Sequence, residues 1–149
     1  MARFEFKLEA LLTARLQVER EKQRRVGVIS QEIQRVVHQI QETQARIMAE
    51  NHTLGAKELT GRLDMQYIGT EKRYVGSLQV RVILALQEVA KLEQTLAKAR
   101  AELLEAARAR KVIEKLREKQ FARWRLEQER KEAAVMDEIG MQLAVRGDV

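Results

Sequence analysis

Two long stretches, in which apolar residues recur at alternating steps of three and four, constrain what this chain can fold into. The first includes Val26, Ile29, Ile33, Val36 and Ile40, and no proline occurs anywhere in the sequence. The second contains Leu78, Val82, Ala85, Val89, Leu92, Leu96, Ala99 and Leu103. This spacing places one apolar stripe along an α-helix and is typical of helices that pack as coiled coils.

Composition supports long helices rather than a compact globule. Of the 149 residues, 34% are charged and only 4% are aromatic, which leaves little material for a thick core. A chain of this length would ordinarily contain several prolines, since average usage is about 5%. The sequence has no cysteine, which excludes disulfide bonds and cysteine metal sites.

The segment between the two apolar stripes is rich in glycine. Gly55, Gly61, Gly69 and Gly76 account for four of the seven glycines in the chain. Glycine in a helix interior costs about 1 kcal/mol relative to alanine. We therefore predict one domain over residues 1–149, with a first arm at about 4–50, a turn at about 51–61 and a second arm at about 62–145.

The predicted fold class is all-α, with two long helices in an antiparallel coiled-coil hairpin and the second helix longer. A parallel dimer formed through each arm is the alternative that the pattern leaves open. If the turn centres near Ala56, Phe4 lies opposite roughly Arg108 in an antiparallel hairpin. The part of the second arm beyond Arg108 would then have no partner helix within the chain.

That overhanging stretch is strongly basic. From Arg108 to Lys131 there are ten basic and four acidic residues, a net charge of +6 that equals the formal net charge of the whole chain. Phe121 and Trp124 lie three residues apart, on one helix face. Because a two-helix seam cannot bury a tryptophan on an overhang, and because tryptophan is enriched at binding hot spots, we expect Trp124 to contact a partner.

The basic stretch fits an acidic protein surface at least as well as nucleic acid, since no recognised nucleic-acid module accompanies the charge. An interfacial membrane helix is less favoured because glutamates interrupt the polar face. A solvated helix face with Glu–Lys pairs is the simplest alternative, but the net charge of the segment weighs against it.

No catalytic constellation or phosphate-binding loop is visible, so we expect no enzyme activity, no cofactor and no metal site. His38 and His52 are expected to be solvated helix positions rather than metal ligands. The N-terminal residues lack the apolar core of a signal peptide, and no apolar run approaches the length of a bilayer span. A cytosolic protein is therefore expected.

Both ends of the sequence resemble a known family. The pattern F-x-F-x-L-E-x-L-L-x-x-R from Phe4 to Arg15 is similar to the start of the flagellar export protein family FliJ. The E-K-L-R-E-K segment from Glu114 to Lys119, followed later by Asp137 and Glu138, resembles the end of that family. The similarity extends over essentially the whole chain and agrees with its length and two-helix layout.

The resemblance implies a small component of the bacterial flagellar type III export apparatus, and thereby a role in motility and chemotaxis. It implies an antiparallel coiled-coil stalk whose paired ends bind the hexameric export ATPase and promote its assembly and activity. The turn end would contact the cytoplasmic domain of the export gate membrane protein, and the family is also linked to export chaperones. We accordingly expect a monomeric hairpin without a nucleic-acid partner, cytoplasmic and peripherally associated with the inner-membrane export apparatus.

The resemblance and the residue pattern together assign two candidate sites. The expected ATPase-binding residues are Phe4, Leu8, Leu11, Arg15, Lys115, Arg117, Lys119, Trp124 and Arg125. The expected gate-binding residues are Leu59, Leu63, Tyr67 and Tyr74. Two alternative functions remain open: the stalk protein of a virulence-type III secretion system, and a basic coiled-coil adaptor or nucleic-acid-binding protein.

Overall fold

The computed structural model describes residues 2–59 and 64–147, without the side chain of Leu59. It contains two α-helices, α1 over Glu9–Leu59 and α2 over Met65–Gly147, and the described residues form no strand. The helices pack against each other and α2 is the longer. The predicted all-α fold class is therefore confirmed.

Local hydrogen bonds fix where each helix begins. The Leu12 amide donates to the Leu8 carbonyl at 2.9 Å, and Glu9 supplies a negative charge to the first turn of α1, where the helix dipole favours it. Asp64 caps α2, since its Oδ1 accepts a hydrogen bond from the Gln66 amide at 3.1 Å.

Helix α1 continues through residues 51–59, where the glycine content led us to expect the turn. Leu54 is buried, and the Thr53 hydroxyl donates to the Ala49 carbonyl at 3.0 Å, as in a regular helical turn. Burial of Leu54 thus offsets the low helix propensity of Gly55. The expected start of the second arm, at about residue 62, lies outside the described residues.

The chain divides into two compact units. The terminal unit comprises Met1–Arg20 with Leu104–Val149, and the central unit comprises Glu21–Leu103. Each unit contains one segment of α1 and one segment of α2. In the terminal unit, Glu9 meets Arg117 and Glu19 meets Arg110, so the two segments run antiparallel.

The core of the central unit includes the apolar stripes that the sequence predicts and extends beyond them. Val36 is 1% exposed and Leu78 is 2% exposed, which makes them its most deeply buried large side chains. Ile29, Ile40 and Ala99 are buried at predicted stripe positions, whereas the buried Leu54 and Val75 lie between the two predicted stripes. One stripe from each helix therefore forms the interface, and it continues toward the turn.

A glutamate of one helix contacts a charged residue of the other at each end of the central unit. Lys22 Nζ lies 2.9 Å from Glu102 Oε2, and the hydrogen bond and charge of Lys22 lower the pKa of Glu102. At the other end, the side-chain hydrogen bond that the Glu50 carboxyl makes with Glu71, followed by desolvation, raises the pKa of Glu50. The first contact stabilises the folded chain when Glu102 is ionised, whereas the second brings two like charges together at neutral pH.

The Glu50 contact predicts a pH-dependent difference between the wild type and Glu50→Gln. A carboxyl whose pKa is raised on folding binds more protons in the folded state, so its contribution to stability is lost as the pH rises from 4.5, its ordinary value, through the raised pKa. Glu50→Gln removes that loss and should have a higher Tm than the wild type at pH 7, with the difference shrinking near pH 4. Thermal unfolding by circular dichroism at both pH values measures it.

The matched control is Glu58→Gln, which neutralises an exposed glutamate on the same helix. Its effect on Tm should be small and should not follow the pattern of Glu50→Gln. An equal Tm difference for Glu50→Gln at pH 4 and pH 7 would contradict the like-charge contact.

Candidate functional site

Three aromatic rings join the N-terminal segment to α2 in the terminal unit. The Phe4 ring centroid lies 5.2 Å from that of Phe121 and 5.7 Å from that of Trp124. Phe121 and Trp124 stack on each other at 5.9 Å. These separations are those of favourable aromatic pairs. Phe6, two residues after Phe4, is also buried, at 8% exposure. The non-helical residues 2–8 are thereby tied to the second helix.

A set of ion pairs continues the same interface along α1. Glu9 accepts a hydrogen bond from Arg117 Nε at 3.0 Å. Farther along, Arg110 bonds to Glu19 and also pairs with Glu114 at 2.7 Å. The side chains of Arg110 and Glu19 are only 19% and 13% exposed, and the two carboxylates raise the pKa of Arg110 above its usual range. Arg110 is therefore a structural cation of the interface rather than part of the free basic surface.

The structure corrects the expected pairing of the two arms. Phe4 contacts Phe121 and Trp124 rather than lying opposite Arg108. The prediction that Trp124 stands on an unpaired overhang is wrong, since its ring is half-buried in the aromatic cluster. The physical reason is that α1 extends beyond the expected turn, so each residue of α1 meets a later residue of α2.

Beyond the aromatic cluster, α2 continues without cover from the rest of the terminal unit. Every described residue from 129 to 147 is exposed. The segment carries several large apolar side chains at high exposure: Val135, Met136, Ile139, Met141, Leu143 and Val145. An uncovered part of α2 therefore exists, as the sequence indicated, but it begins later than Arg108.

A basic surface lies on the side of α2 away from the aromatic cluster. Lys111, Lys115 and Lys119 are spaced four residues apart, all are exposed, and none forms an ion pair within the described part of the chain. Arg108 and Arg123 lie on the same helix face by their spacing and are likewise exposed. We call these five residues the basic face. Its cations are free to meet a partner, because the nearby Glu114 is engaged by Arg110.

The predicted ATPase-binding residues thus fall into four groups. Phe4 and Trp124 lie together in the aromatic cluster, and Lys115 and Lys119 belong to the basic face. Arg117 and Arg125 are engaged in ion pairs, with Glu9 at 3.0 Å and with Glu129 at 3.4 Å. The remaining three are exposed on the N-terminal part of the unit: Leu8, Leu11 and Arg15.

The predicted gate-binding residues are only partly described. Tyr67 and Tyr74 are on α2 in the central unit, 37% and 39% exposed. Lys57 of α1 lies over the Tyr67 ring at 3.9 Å and donates a hydrogen bond to its hydroxyl. Leu63 lies outside the described residues, as does the side chain of Leu59. The structure therefore shows two accessible tyrosines, one of them held by a lysine of the other helix.

Sequence reasoning missed the ion pairs between the helices. Glu19 and Arg110 stand 91 positions apart, and their contact depends on a pairing register that composition alone did not supply. One pair within α1 could have been predicted from the sequence. His38 Nε2 lies 3.0 Å from the carboxylate of Glu42, and residues four apart on a helix are neighbours.

The cluster around Trp124 predicts a fluorescence response to a substitution in the N-terminal segment. Trp124 is the chain's single tryptophan, so its emission reports this cluster alone. Phe4→Ala removes two ring contacts, worth roughly 0.5–1.5 kcal/mol each beyond burial, and uncovers the indole. We expect red-shifted emission and stronger quenching by acrylamide.

Tyr74→Ala is the control, since it removes an aromatic ring from the central unit, away from the cluster, and should leave Trp124 emission unchanged. If Phe4→Ala also left the emission and quenching as in the wild type, the packing of Phe4 on Trp124 would be refuted.

The distinctive features of the terminal unit are an aromatic cluster, ion pairs between helices and an exposed basic face. The described residues gather no group of three or more metal-ligating side chains. Within the described ranges, neither helix contains a segment long and apolar enough to span a bilayer.

Comparison with known families identifies the family of the chain. The family model described as "Flagellar FliJ protein" matches residues 4–148. No curated protein and no solved structure matches the chain. The family match includes both ends that carry the sequence resemblance and nearly everything between them, so this chain belongs to the FliJ family of proteins associated with flagellar type III export.

Proposed function

We propose that this chain is a coiled-coil stalk of the flagellar export apparatus that binds the export ATPase hexamer through its terminal unit. The single observation that carries the proposal is the packing of the N-terminal segment on the later part of α2 in one unit, with Phe4 on Trp124 and with Lys115 and Lys119 exposed on the same part of α2. Paired helix ends with a cationic surface are suited to enter an acidic opening in a larger assembly.

Binding at this end would promote assembly and activity of the ATPase by joining its subunits around one helical element. An oligomer gains stability from anything that binds the assembled form and not the separate subunits. The chain itself would supply no catalytic group, in agreement with the non-catalytic character of the family.

The proposal assigns the other contact, with the cytoplasmic domain of the export gate, to the tyrosines of the central unit. Tyr67 and Tyr74 are accessible aromatic side chains, and tyrosine is favoured at protein interfaces because it combines apolar area with a hydroxyl group. A stalk with these two contacts would link the ATPase to the gate. Handling of export chaperones and peripheral association with the membrane apparatus belong to the same proposal.

The absence of cysteine from the sequence allows a direct test of this orientation. A single environment-sensitive dye is attached through Ala122→Cys, on the exposed side of α2 between Lys119 and Arg123, or through Thr70→Cys, near the two tyrosines. The dye at position 122 should respond to the export ATPase, and the dye at position 70 should respond to the gate domain. The reverse pattern, or a response of neither dye to the ATPase, would contradict the proposal.

Tyr67→Ala is expected to weaken gate binding and impair export while leaving ATPase stimulation intact. The substitution removes the ring that Lys57 covers but changes nothing in the terminal unit. Gate binding by calorimetry and ATP hydrolysis are measured on the same preparation. Loss of ATPase stimulation in this variant would mean that Tyr67 acts at the ATPase contact instead.

A further inference from the structure

Helix α2 carries a second series of mostly apolar or glycine positions in the central unit, on the side turned away from α1. Its positions are spaced by seven, four, three, four and three residues, and we call them the outer face: Gly69, Gly76, Val80, Ile83, Gln87 and Ala90. Leu78, which is buried in the interface with α1, marks the opposite side of the helix. This spacing is that of a helix-packing stripe, yet no described part of the central unit buries Val80 or Ile83.

The large side chains on and beside the outer face are more than half exposed. Val80 is 54% exposed, Ile83 is 55% exposed and the adjacent Leu84 is 58% exposed. Around Leu78 the helix is therefore apolar on both sides. Exposed apolar residues grouped on one side of a helix are typical of an interaction surface, so this segment is suited to pack against a partner on its second side.

The glycines of the outer face are not required for close packing against any described residue. A Cβ atom built on Gly69 or Gly76 meets nothing within 4 Å. Glycine also lowers helix propensity, so the structure of the chain alone does not account for either residue. A second helix that approaches closely would make use of both, because small residues let two backbones come together.

The charges on this part of α2 are mostly positive. The flanking and interleaved positions hold six exposed cations and two exposed acids: Lys72, Arg73, Arg81, Lys91, Lys98, Arg100, Glu88 and Glu93. The other acids of this part of α2 are directed toward α1, as Glu71 is by its contact with Glu50 and Glu102 by its pair with Lys22. Flanking charges of this kind determine partner choice in coiled coils.

We infer that the outer face binds an amphipathic helix of another protein, one with a narrow apolar stripe and acidic flanking residues. A second copy of this chain fits less well, since it would bring two sets of cations against each other. The outer face is distinct from both contacts proposed above: Tyr67 lies under Lys57 of α1, and the ATPase-facing residues are in the terminal unit. The inference therefore stands independently of the proposed function.

A designed peptide of four heptads tests the inference. It has leucine and alanine in the apolar stripe, glutamate at the flanking positions and a fluorescein label; a counterpart has lysine in place of glutamate. The full-length protein is titrated into each and the anisotropy is followed. The glutamate peptide should bind saturably, and the lysine peptide should bind at least about tenfold more weakly.

Two matched variants locate the binding surface. Val80→Asp places a charge on the outer face and should weaken binding of the glutamate peptide at least about tenfold, since it opposes burial of that position. Val28→Asp makes the same change at a valine of α1 that is 61% exposed, and should bind the peptide as the wild type does. Circular dichroism establishes that both variants remain helical.

A third variant, Lys91→Glu, tests the flanking charge. It should weaken binding of the glutamate peptide without altering an apolar side chain.

Several results would overturn the inference. They are equal binding of the two peptides, equal loss in Val80→Asp and Val28→Asp, no saturable binding at all, or unchanged binding in Val80→Asp. Self-association of the wild type in sedimentation equilibrium that Val80→Asp abolishes would instead assign the face to a second copy. Binding to phosphatidylglycerol vesicles that requires Val80, with no binding of the glutamate peptide, would assign it to a lipid surface.

Discussion

Replacing Lys115 and Lys119 together by glutamate is expected to weaken binding to the flagellar export ATPase at least about tenfold. Both lysines are exposed, four residues apart on the basic face, and neither forms an ion pair within the described residues. Their reversal changes the local charge by four units without removing a contact that holds the terminal unit together. Affinity is measured by calorimetry with the ATPase hexamer.

The control for this double substitution is Lys91→Glu with Lys98→Glu, which makes the same change of charge on α2 in the central unit. It should bind the ATPase within about twofold of the wild type, because charges outside a contact affect affinity weakly. Equal loss in the two double variants would show that only net charge matters and that the basic face has no specific role.

Arg117→Glu with Arg125→Glu is also expected to weaken ATPase binding, but the structure makes it a less direct test. Arg117 pairs with Glu9 across the helix interface, and Arg125 pairs with Glu129 along α2. Reversing Arg117 places two like charges together where an ion pair stood. A binding defect in this variant would therefore combine a local structural change with the loss of surface charge.

The second large effect concerns the core of the central unit. Leu78→Ala should lower the free energy of unfolding by about 2–5 kcal/mol, the range for deeply buried leucines. Leu78 is 2% exposed in the stripe that joins the two helices. A two-helix interface has few other contacts to share the loss. Urea denaturation followed by circular dichroism measures the change.

Leu84→Ala provides the matched comparison, six residues farther along the same helix. Leu84 is 58% exposed on the opposite side, so its truncation should change stability by less than about 0.5 kcal/mol. Similar losses for the two variants would contradict the placement of the interface on the Leu78 side of α2.

The fold could be predicted from the sequence because each helix carries its own apolar stripe. Spacing of three and four at Val36 and Leu78 identifies the side of each helix that is buried, and the structure buries both residues. A pattern of this kind depends only on helix geometry and the burial of apolar surface. Two packed helices, the second longer, follow from two such stripes of unequal length.

The pairing register could not be predicted in the same way. It depends on where α1 ends, and glycine content placed that end too early, since burial of Leu54 keeps the helix intact past Gly55. Because the end of α1 was predicted a few helical turns too early, Phe4 was expected near Arg108, whereas it contacts Trp124. The same error shifts the predicted partner of every α1 residue, so the contact of Glu19 with Arg110 could not be predicted.

The candidate site was predictable in composition but not in arrangement. The clustering of basic residues after Arg108 is visible in the sequence, and the structure shows which of them are free. Arg110 and Arg117 are engaged by acids of α1, whereas Lys115 and Lys119 remain at the surface. The paired arginines differ from the exposed lysines only in whether an acid of α1 lies opposite them. Which residues lie opposite depends on the pairing register of the two helices, which a local sequence pattern does not reveal.

The rate of ATP hydrolysis by the flagellar export ATPase, measured with and without this protein at low enzyme concentration, tests the central claim most directly. Low concentration matters because a stalk that promotes assembly has its largest effect when the hexamer is sparsely populated. We predict stimulation by the wild type that rises to a plateau and is lost in Lys115→Glu with Lys119→Glu. An active ATPase whose rate is unchanged by the fully helical wild-type chain would contradict the proposed function.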